Sequence, residues 1–183
     1  MKLLATPLAG VVVVETTPYI DARGAFARLY CEHELAGIIG DRRIVQINHS
    51  RTHTTGAVRG LHYQVPPHSE MKLVRCLKGR VWDVALDLRA GSPTFLQWHA
   101  EELAADHGRM LVIPEGFAHG FQALEPDSEL LYLHSARYAP EAEAGLWCED
   151  PLLGIAWPLS VTDLSERDRR HPLLTPDFAG MAA

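Results

Sequence analysis

Cysteine is scarce in this sequence: Cys31, Cys76 and Cys148 are odd in number, far apart and never spaced as CxxC. That excludes a disulfide framework and a zinc knuckle, and makes the reducing cytoplasm the expected compartment. An excess of positive charge is missing too, since 17 Lys and Arg stand against 23 Asp and Glu for a formal net charge of -6. Nucleic-acid binders usually carry a basic face and net positive charge, so no nucleic-acid partner is expected and any anionic ligand must be held by a local basic cluster. No apolar run is long enough to span a membrane. The start, MKLLATPLAGVVVVE, is broken by Pro7, closed by Glu15, and lacks a signal-peptide core and cleavage site. Internal repeats and low-complexity stretches are also absent. What is there, 183 residues with 47% hydrophobic and 22% charged, suits one soluble, unprocessed domain over 1–183 that buries its own core.

Period-two patterning dominates the middle of the chain. In VWDVALDL (81–88), Trp82, Val84, Leu86 and Leu88 fall on one face and Asp83 and Asp87 on the other, which predicts a half-buried strand. Similar short runs occupy 10–15, 43–50, 71–78, 94–103, 109–114 and 129–136. Lys78-Gly79-Arg80, Ala90-Gly91-Ser92-Pro93 and Pro126-Asp127-Ser128 supply turns between several of them. Many short strands at close spacing predict an all-β sandwich or barrel. Helix is expected only at the periphery: over 31–40, ended by Gly40, and over 165–170, with Ser165 as N-cap. Four prolines after residue 150 (Pro151, Pro158, Pro172, Pro176) predict a tail that wraps the barrel as loop.

GRMLVIPEGFAHGFQA (108–123) is the most specific single pattern: Gly108, five residues, Pro114-Glu115-Gly116, then His119. It is close to the second sequence motif of the cupin superfamily. The first motif is half present, because Gly56, five residues and His62 match its opening, whereas the expected HxH reads His62-Tyr63-Gln64, with Glu70 and Gly79 following at stretched spacing. The chain therefore resembles a cupin by fold, an all-β double-stranded β-helix (jelly-roll barrel) with short peripheral helices, whose strands aim side chains into one pocket. A metal would need three or four convergent ligands. The candidates are His62, Glu70 and His119, with Gln64 standing where a histidine is wanted, and an amide is a poor replacement. No metal is expected. His49, His53, His68, His99, His107, His134 and His171 lie in no ligand-like spacing and read as surface or hydrogen-bonded residues.

A longer series of strings reaches further: DARGAF (21–26), QINHS (46–50), RGLHYQ (59–64), KLVRC (72–76), VWDVALDLRAGSPTF (81–95), IPEGFAHGF (113–121), LLY (130–132), YAPEAE (138–143), EDPLLGIAWP (149–158) and LSERD (164–168). In order and with few gaps, from about Gly10 to Leu174, they resemble the deoxysugar epimerase family typified by dTDP-4-dehydrorhamnose 3,5-epimerase. The resemblance implies action on a nucleotide-linked 4-keto-6-deoxyhexose, with inversion next to the C4 ketone, no metal or organic cofactor, and a homodimer. A ketone acidifies the neighbouring C–H. The chemistry then needs a base, a group to hold the enolate oxygen, and an acid on the opposite face. By resemblance the base is His62, of a residue type that titrates near neutrality. Lys72 would steady the enolate and Tyr132 would donate the proton. Asp168 would pair with the base, as a carboxylate orients a triad histidine. On spacing alone, Ser165-Glu166-Arg167-Asp168 also has capping-box form, and Asp83 is a second candidate partner.

A nucleoside diphosphate requires local positive charge, and Arg23, Arg59, Lys72, His119 and Arg167 sit within or beside the matched strings. Gln46, Asn48 and Glu143 match polar substrate-binding positions, and Phe26 is the candidate for stacking on the base. Two departures stand out: Arg28, itself a substrate-binding candidate by its place in the resemblance, replaces a common glutamate and Ile47 a common aspartate, both near nucleotide-binding strings. They leave the reaction class intact and leave open the nucleotide (dTDP or CDP), the sugar, and inversion at C3, C5 or both. The alternatives are a metal-dependent cupin enzyme using His62, Glu70 and His119, and a non-catalytic sugar-nucleotide-binding cupin.

Overall fold

Alternating side chains and β-branched residues make strands the dominant regular element of this chain, and the computed structural model describes residues 1–182. The strands are β1 (Lys2–Ala5), β2 (Val12–Glu15), β3 (Tyr19–Asp21), β4 (Gly24–Phe26), β5 (Gln46–Thr52), β6 (Val58–Gln64), β7 (Lys72–Lys78), β8 (Arg80–Asp87), β9 (Trp98–Ala104), β10 (Arg109–Ile113), β11 (Phe117–Ala123), β12 (Ser128–His134) and β13 (Glu143–Gly145). A six-stranded sheet runs β1-β2-β10-β7-β12-β5 and a five-stranded sheet β13-β6-β11-β8-β9, while β3 and β4 pair as a separate hairpin. Every pairing between these strands is antiparallel. From β5 to β8 the chain changes sheet at every strand, and again from β9 through β13, which is the expected jelly roll. No described helix is long and apolar enough to cross a membrane.

The interior between the sheets is apolar at its centre. Val74 and Leu130 from the first sheet and Val81, Ala85 and Phe121 from the second belong to one buried cluster. The outer faces are covered as well. Helix α1 (Glu32–Ile39), ended by Gly40 as expected, lays Leu35 and Ile39 over Leu73, Met110, Val112 and Leu133. The tail runs as loop across the five-stranded sheet, where Leu153, Leu174 and Met181 cover Leu61, Leu86 and Leu88. At about 25 cal/mol per Å2 of apolar surface, such covering makes both faces of each sheet stabilising.

This double covering corrects the reading of 81–88. The strand is buried on both sides, and the aspartate face points into the barrel, so that Asp83 and Asp87 are 0% exposed. Buried carboxylates persist only when paired. Asp83 meets His119, and Asp87 accepts from Arg89, Ser92 and Thr94. The same Ser92 and Thr94 contacts hold 92–97 as turn, so β9 begins at Trp98 rather than at Thr94. The helix expected over 165–170 shrinks to a 3-10 turn at Asp168–Arg170, with the Asp168 N–H donating to Ser165 Oγ at 3.0 Å.

Candidate active site

One end of the barrel interior is polar, and there the sheets enclose a cavity of about 790 Å3. The five-stranded sheet contributes Arg59 and His62 from β6 and His119 from β11; the six-stranded sheet contributes Gln46 and Asn48 from β5, Lys72 from β7 and Tyr132 from β12. Phe121 lines its apolar part. Antiparallel register sets these neighbours: His62 lies opposite His119, Tyr132 opposite Asn48, and His134 opposite both Gln46 and Lys72. A volume of this order suits a small ligand held by a few convergent polar groups.

His62 Nε2 lies 2.8 Å from Asp168 Oδ1, although 106 residues separate the two in sequence. Asp168 is 3% exposed and also accepts from the Gly60 N–H at 3.4 Å. Burial pushes its carboxyl up, but the His62 hydrogen bond and charge, the Gly60 amide and the Ser165 hydroxyl outweigh that and hold it at about 2. An ionised carboxylate only accepts, so the short contact assigns the N–H to Nε2 and leaves Nδ1 with the lone pair. Arg167 Nη2 also lies 3.3 Å from Nε2. One imidazole nitrogen cannot both donate and accept, so that contact is electrostatic, directed at Asp168, whose Oδ1 is 3.7 Å from Arg167 Nε. Gly60 matters to this geometry. Its φ is +127°, and a Cβ there would meet Gly120 Cα at 2.5 Å and the His119 oxygen at 2.8 Å, where β6 crosses close to β11 at a register shift.

On the facing sheet, Lys72 Nζ donates to Glu70 Oε1 and to the His62 carbonyl oxygen, both at 3.2 Å. Glu70 Oε2 also accepts from His134 Nδ1 at 2.8 Å. The Tyr132 ring lies nearly parallel to that of His134, centroids 6.0 Å apart, and edge-on to His119 at 5.8 Å. Burial, with the negative charge of Asp83, pushes the Tyr132 phenol far up, so it holds its proton. His119 Nε2 contacts both Asp83 oxygens at 2.9 and 3.0 Å. Asp83 is therefore the partner of His119, and its candidacy as partner of His62 is withdrawn, because it lies across β11 from β6.

Glu143 accepts from Arg167 Nη1 at 2.7 Å and from the Tyr138 hydroxyl at 2.8 Å at the cavity rim. Arg59 donates to Thr52 Oγ1 and the Arg51 carbonyl. Arg23, Phe26 and Arg28 do not join this constellation. They sit on or beyond the β3–β4 hairpin, with Phe26 76% exposed, Arg23 paired with Asp21 and Arg28 with Glu34. Ile47 faces away from the cavity that its neighbours Gln46 and Asn48 line, and Arg28 does not line it either. The metal set suggested by spacing is not assembled: Glu70 is engaged by Lys72 and His134, His119 by Asp83, and Gln64 by the backbone of His68, Arg137 and Ala139. Among the described residues, one group of three brings possible ligand atoms within 4.8 Å, namely His62, Asp168 and His171. Of the histidines read from spacing as surface or hydrogen-bonded, His134 lines the cavity and His171 stands beside the His62–Asp168 pair. Only the pairing of strands and the return of the tail bring them there.

The family model for dTDP-4-dehydrorhamnose 3,5-epimerase matches residues 5–176. A dTDP-4-dehydrorhamnose 3,5-epimerase of Sinorhizobium fredii is 40% identical over 175 residues, covering 95% of this chain and 90% of the relative. One of Pseudomonas aeruginosa is 43% identical over 172 residues, covering 93% and 94%. A solved dTDP-6-deoxy-D-glucose-3,5-epimerase of Legionella pneumophila, in complex with dTDP-4-keto-L-rhamnose, superposes with a TM-score of 0.92 at 35% identity, covering 100% and 98%. A 3'-monoepimerase of Streptomyces bikiniensis, in complex with dTDP-quinovose, gives 0.86 at 33% identity, covering 92% and 85%. Matched along nearly its whole length in both sequence and fold, the chain belongs to the dTDP-4-dehydrorhamnose 3,5-epimerase family of isomerases.

Proposed function

We propose that this chain inverts C3, C5 or both in a dTDP-linked 4-keto-6-deoxyhexose, with His62 as the base and an enolate as the intermediate. One observation carries the reading: His62 with Asp168 faces the cavity from one sheet, and Tyr132 with Lys72 faces it from the other. A sugar ring held between them has a base on one side and an acid on the other. The C–H beside the ketone breaks, its proton goes to His62 Nδ1, and its electron pair forms the enolate double bond as the carbonyl electrons move onto oxygen. Lys72 donates to that oxygen, and Asp168 stabilises the imidazolium that forms. Tyr132 then returns a proton to carbon from the far face, and both side chains recover their resting protonation from solvent.

Arg59, Arg167 and His119 supply the positive and hydrogen-bonding groups for a diphosphate, while Gln46, Asn48 and Glu143 contact the rest of the ligand. We also infer a homodimer, since Tyr19, Ile20 and Phe26 are 69, 71 and 76% exposed on one small hairpin that a second copy would cover. That placement gives Arg23, Phe26 and Arg28 a ligand-binding role only within the assembly.

Incubation in deuterated buffer with dTDP-4-keto-6-deoxyglucose and a chelator tests the reaction. Deuterium is expected at C3, at C5 or at both, and its position identifies the product. Binding without any exchange would replace the epimerase with a sugar-nucleotide-binding module. Exchange lost to the chelator would point instead to a metal-dependent cupin.

A further inference from the structure

His134, buried, and Glu70, largely covered, stand in the cavity wall, yet the steps above give them no part. They belong to a chain of contacts with a defined direction: Asn48 Nδ2 lies 3.3 Å from His134 Nε2, and His134 Nδ1 lies 2.8 Å from Glu70 Oε2. Lys72 holds the other Glu70 oxygen. We propose that Glu70 and His134 are a positioning pair that fixes the hydrogen-bonding polarity of Asn48, so that position 48 offers the ligand an acceptor while Gln46 offers a donor.

The polarity follows from satisfying each group in turn. Burial pushes the Glu70 carboxyl up, but His134 and Lys72 outweigh it and keep it ionised, so it can only accept. His134 must therefore donate from Nδ1, and because the Asn48 amide nitrogen 3.3 Å from Nε2 has no lone pair with which to accept, the ring keeps its own lone pair at Nε2. Its neighbour there has to donate, which commits the amide nitrogen of Asn48 to the wall and leaves Oδ1 to the cavity. Gln46 is committed in the opposite sense, because its Oε1 accepts from the Tyr138 N–H at 3.1 Å and its Nε2 is left over. Gln46 and Asn48 lie on the same face of β5, about 7 Å apart along the strand. A ligand that fits presents an acceptor to the first and a donor to the second. One with the reverse order leaves two polar groups unpaired in a partly dry site.

The inference rests on the epimerase reading only for the identity of the ligand, and its first test needs no ligand. Long-range proton–nitrogen correlation spectra of nitrogen-15-labelled protein should show His134 with its proton on Nδ1 and a bare Nε2. In Glu70→Gln the two tautomers should mix. A wild-type proton on Nε2 overturns the proposal, whether or not a ligand binds. The second test uses dTDP-glucose, which lacks the ketone and so binds without reacting. Its Kd should rise about threefold to tenfold in His134→Leu, the scale of one hydrogen bond. In His134→Gln, whose amide can accept from Asn48 and donate to Glu70, it should stay within about twofold of wild type. Both variants lose the ring packed on Tyr132, so the contrast isolates the hydrogen bonds, and equal Kd values for the two would overturn the proposal. A protein that passes both tests but exchanges no deuterium into any 4-keto substrate would refute the epimerase reading and leave the positioning pair intact.

Discussion

Replacing Asp168 with asparagine removes one charge and keeps the shape of the side chain. The main-chain N–H that donates to Ser165 is unaffected, so the 3-10 turn and the fold should persist. What is lost is the charge facing His62 Nε2 at 2.8 Å, in a residue 3% exposed, where solvent screens little. Breaking a buried charged pair by removing one partner costs about 3–5 kcal/mol. If that loss falls on the imidazolium formed in the transition state, kcat drops by about 10^2–10^4. A steady-state assay with dTDP-4-keto-6-deoxyglucose should show this drop, with the Kd for dTDP within several-fold of wild type. Stability carries a second signature. The folded carboxyl sits at about 2 against a reference of 3.8, so the pair stabilises the fold fully above about pH 4 and loses that contribution as pH falls toward 2. The amount is about 2 kcal/mol, and Asp168→Asn should lack this part of the acid sensitivity in denaturant titrations. Near-wild-type kcat in the variant would refute the reasoning and reduce Asp168 to a turn residue.

His62→Asn should abolish turnover and deuterium exchange while leaving dTDP affinity within several-fold; equal loss of binding in calorimetry would mark a structural histidine. Tyr132→Phe removes the acid and spares the base, so product inversion should fall by about 10^2 or more while exchange with retention continues. Complete loss of exchange, followed by NMR, would contradict that division of labour. Gly60→Ala meets Gly120 and His119 backbone atoms at 2.5 and 2.8 Å with φ at +127°, and should destabilise the fold by about 2 kcal/mol or more in urea. An unchanged midpoint would show that the β6–β11 crossing yields easily.

Of the candidate site, His62, Lys72, Tyr132 and Asp168 were legible in the sequence through the family strings that carry them. Spacing alone left Asp168 a helix cap and Asp83 its rival. Glu70 was visible only as a possible ligand and His134 only as a surface or hydrogen-bonded histidine, because the two meet across 64 residues through the pairing of β7 with β12. The strings also grouped Arg23, Phe26 and Arg28 with the nucleotide site, but in the single chain their hairpin stands away from the cavity.

By itself the sequence determined the strand-rich class, the turns at 78–80 and 126–128, the helix ended by Gly40, and, through its strings, the epimerase family. These are local or inherited patterns, readable because the side-chain period and turn chemistry repeat within a few residues. Tertiary structure alone decided which face of each strand is the inside. Alternation in 81–88 separates Asp83 from Trp82 and Val84, but a jelly roll covers both faces, so hydrophobicity does not say which one lines the barrel. The partners were decided the same way, His119 for Asp83 and Asp168 for His62. A buried charge takes whatever counter-group the closing sheets and the returning tail bring within 3 Å, and that distance exists only after the chain has folded.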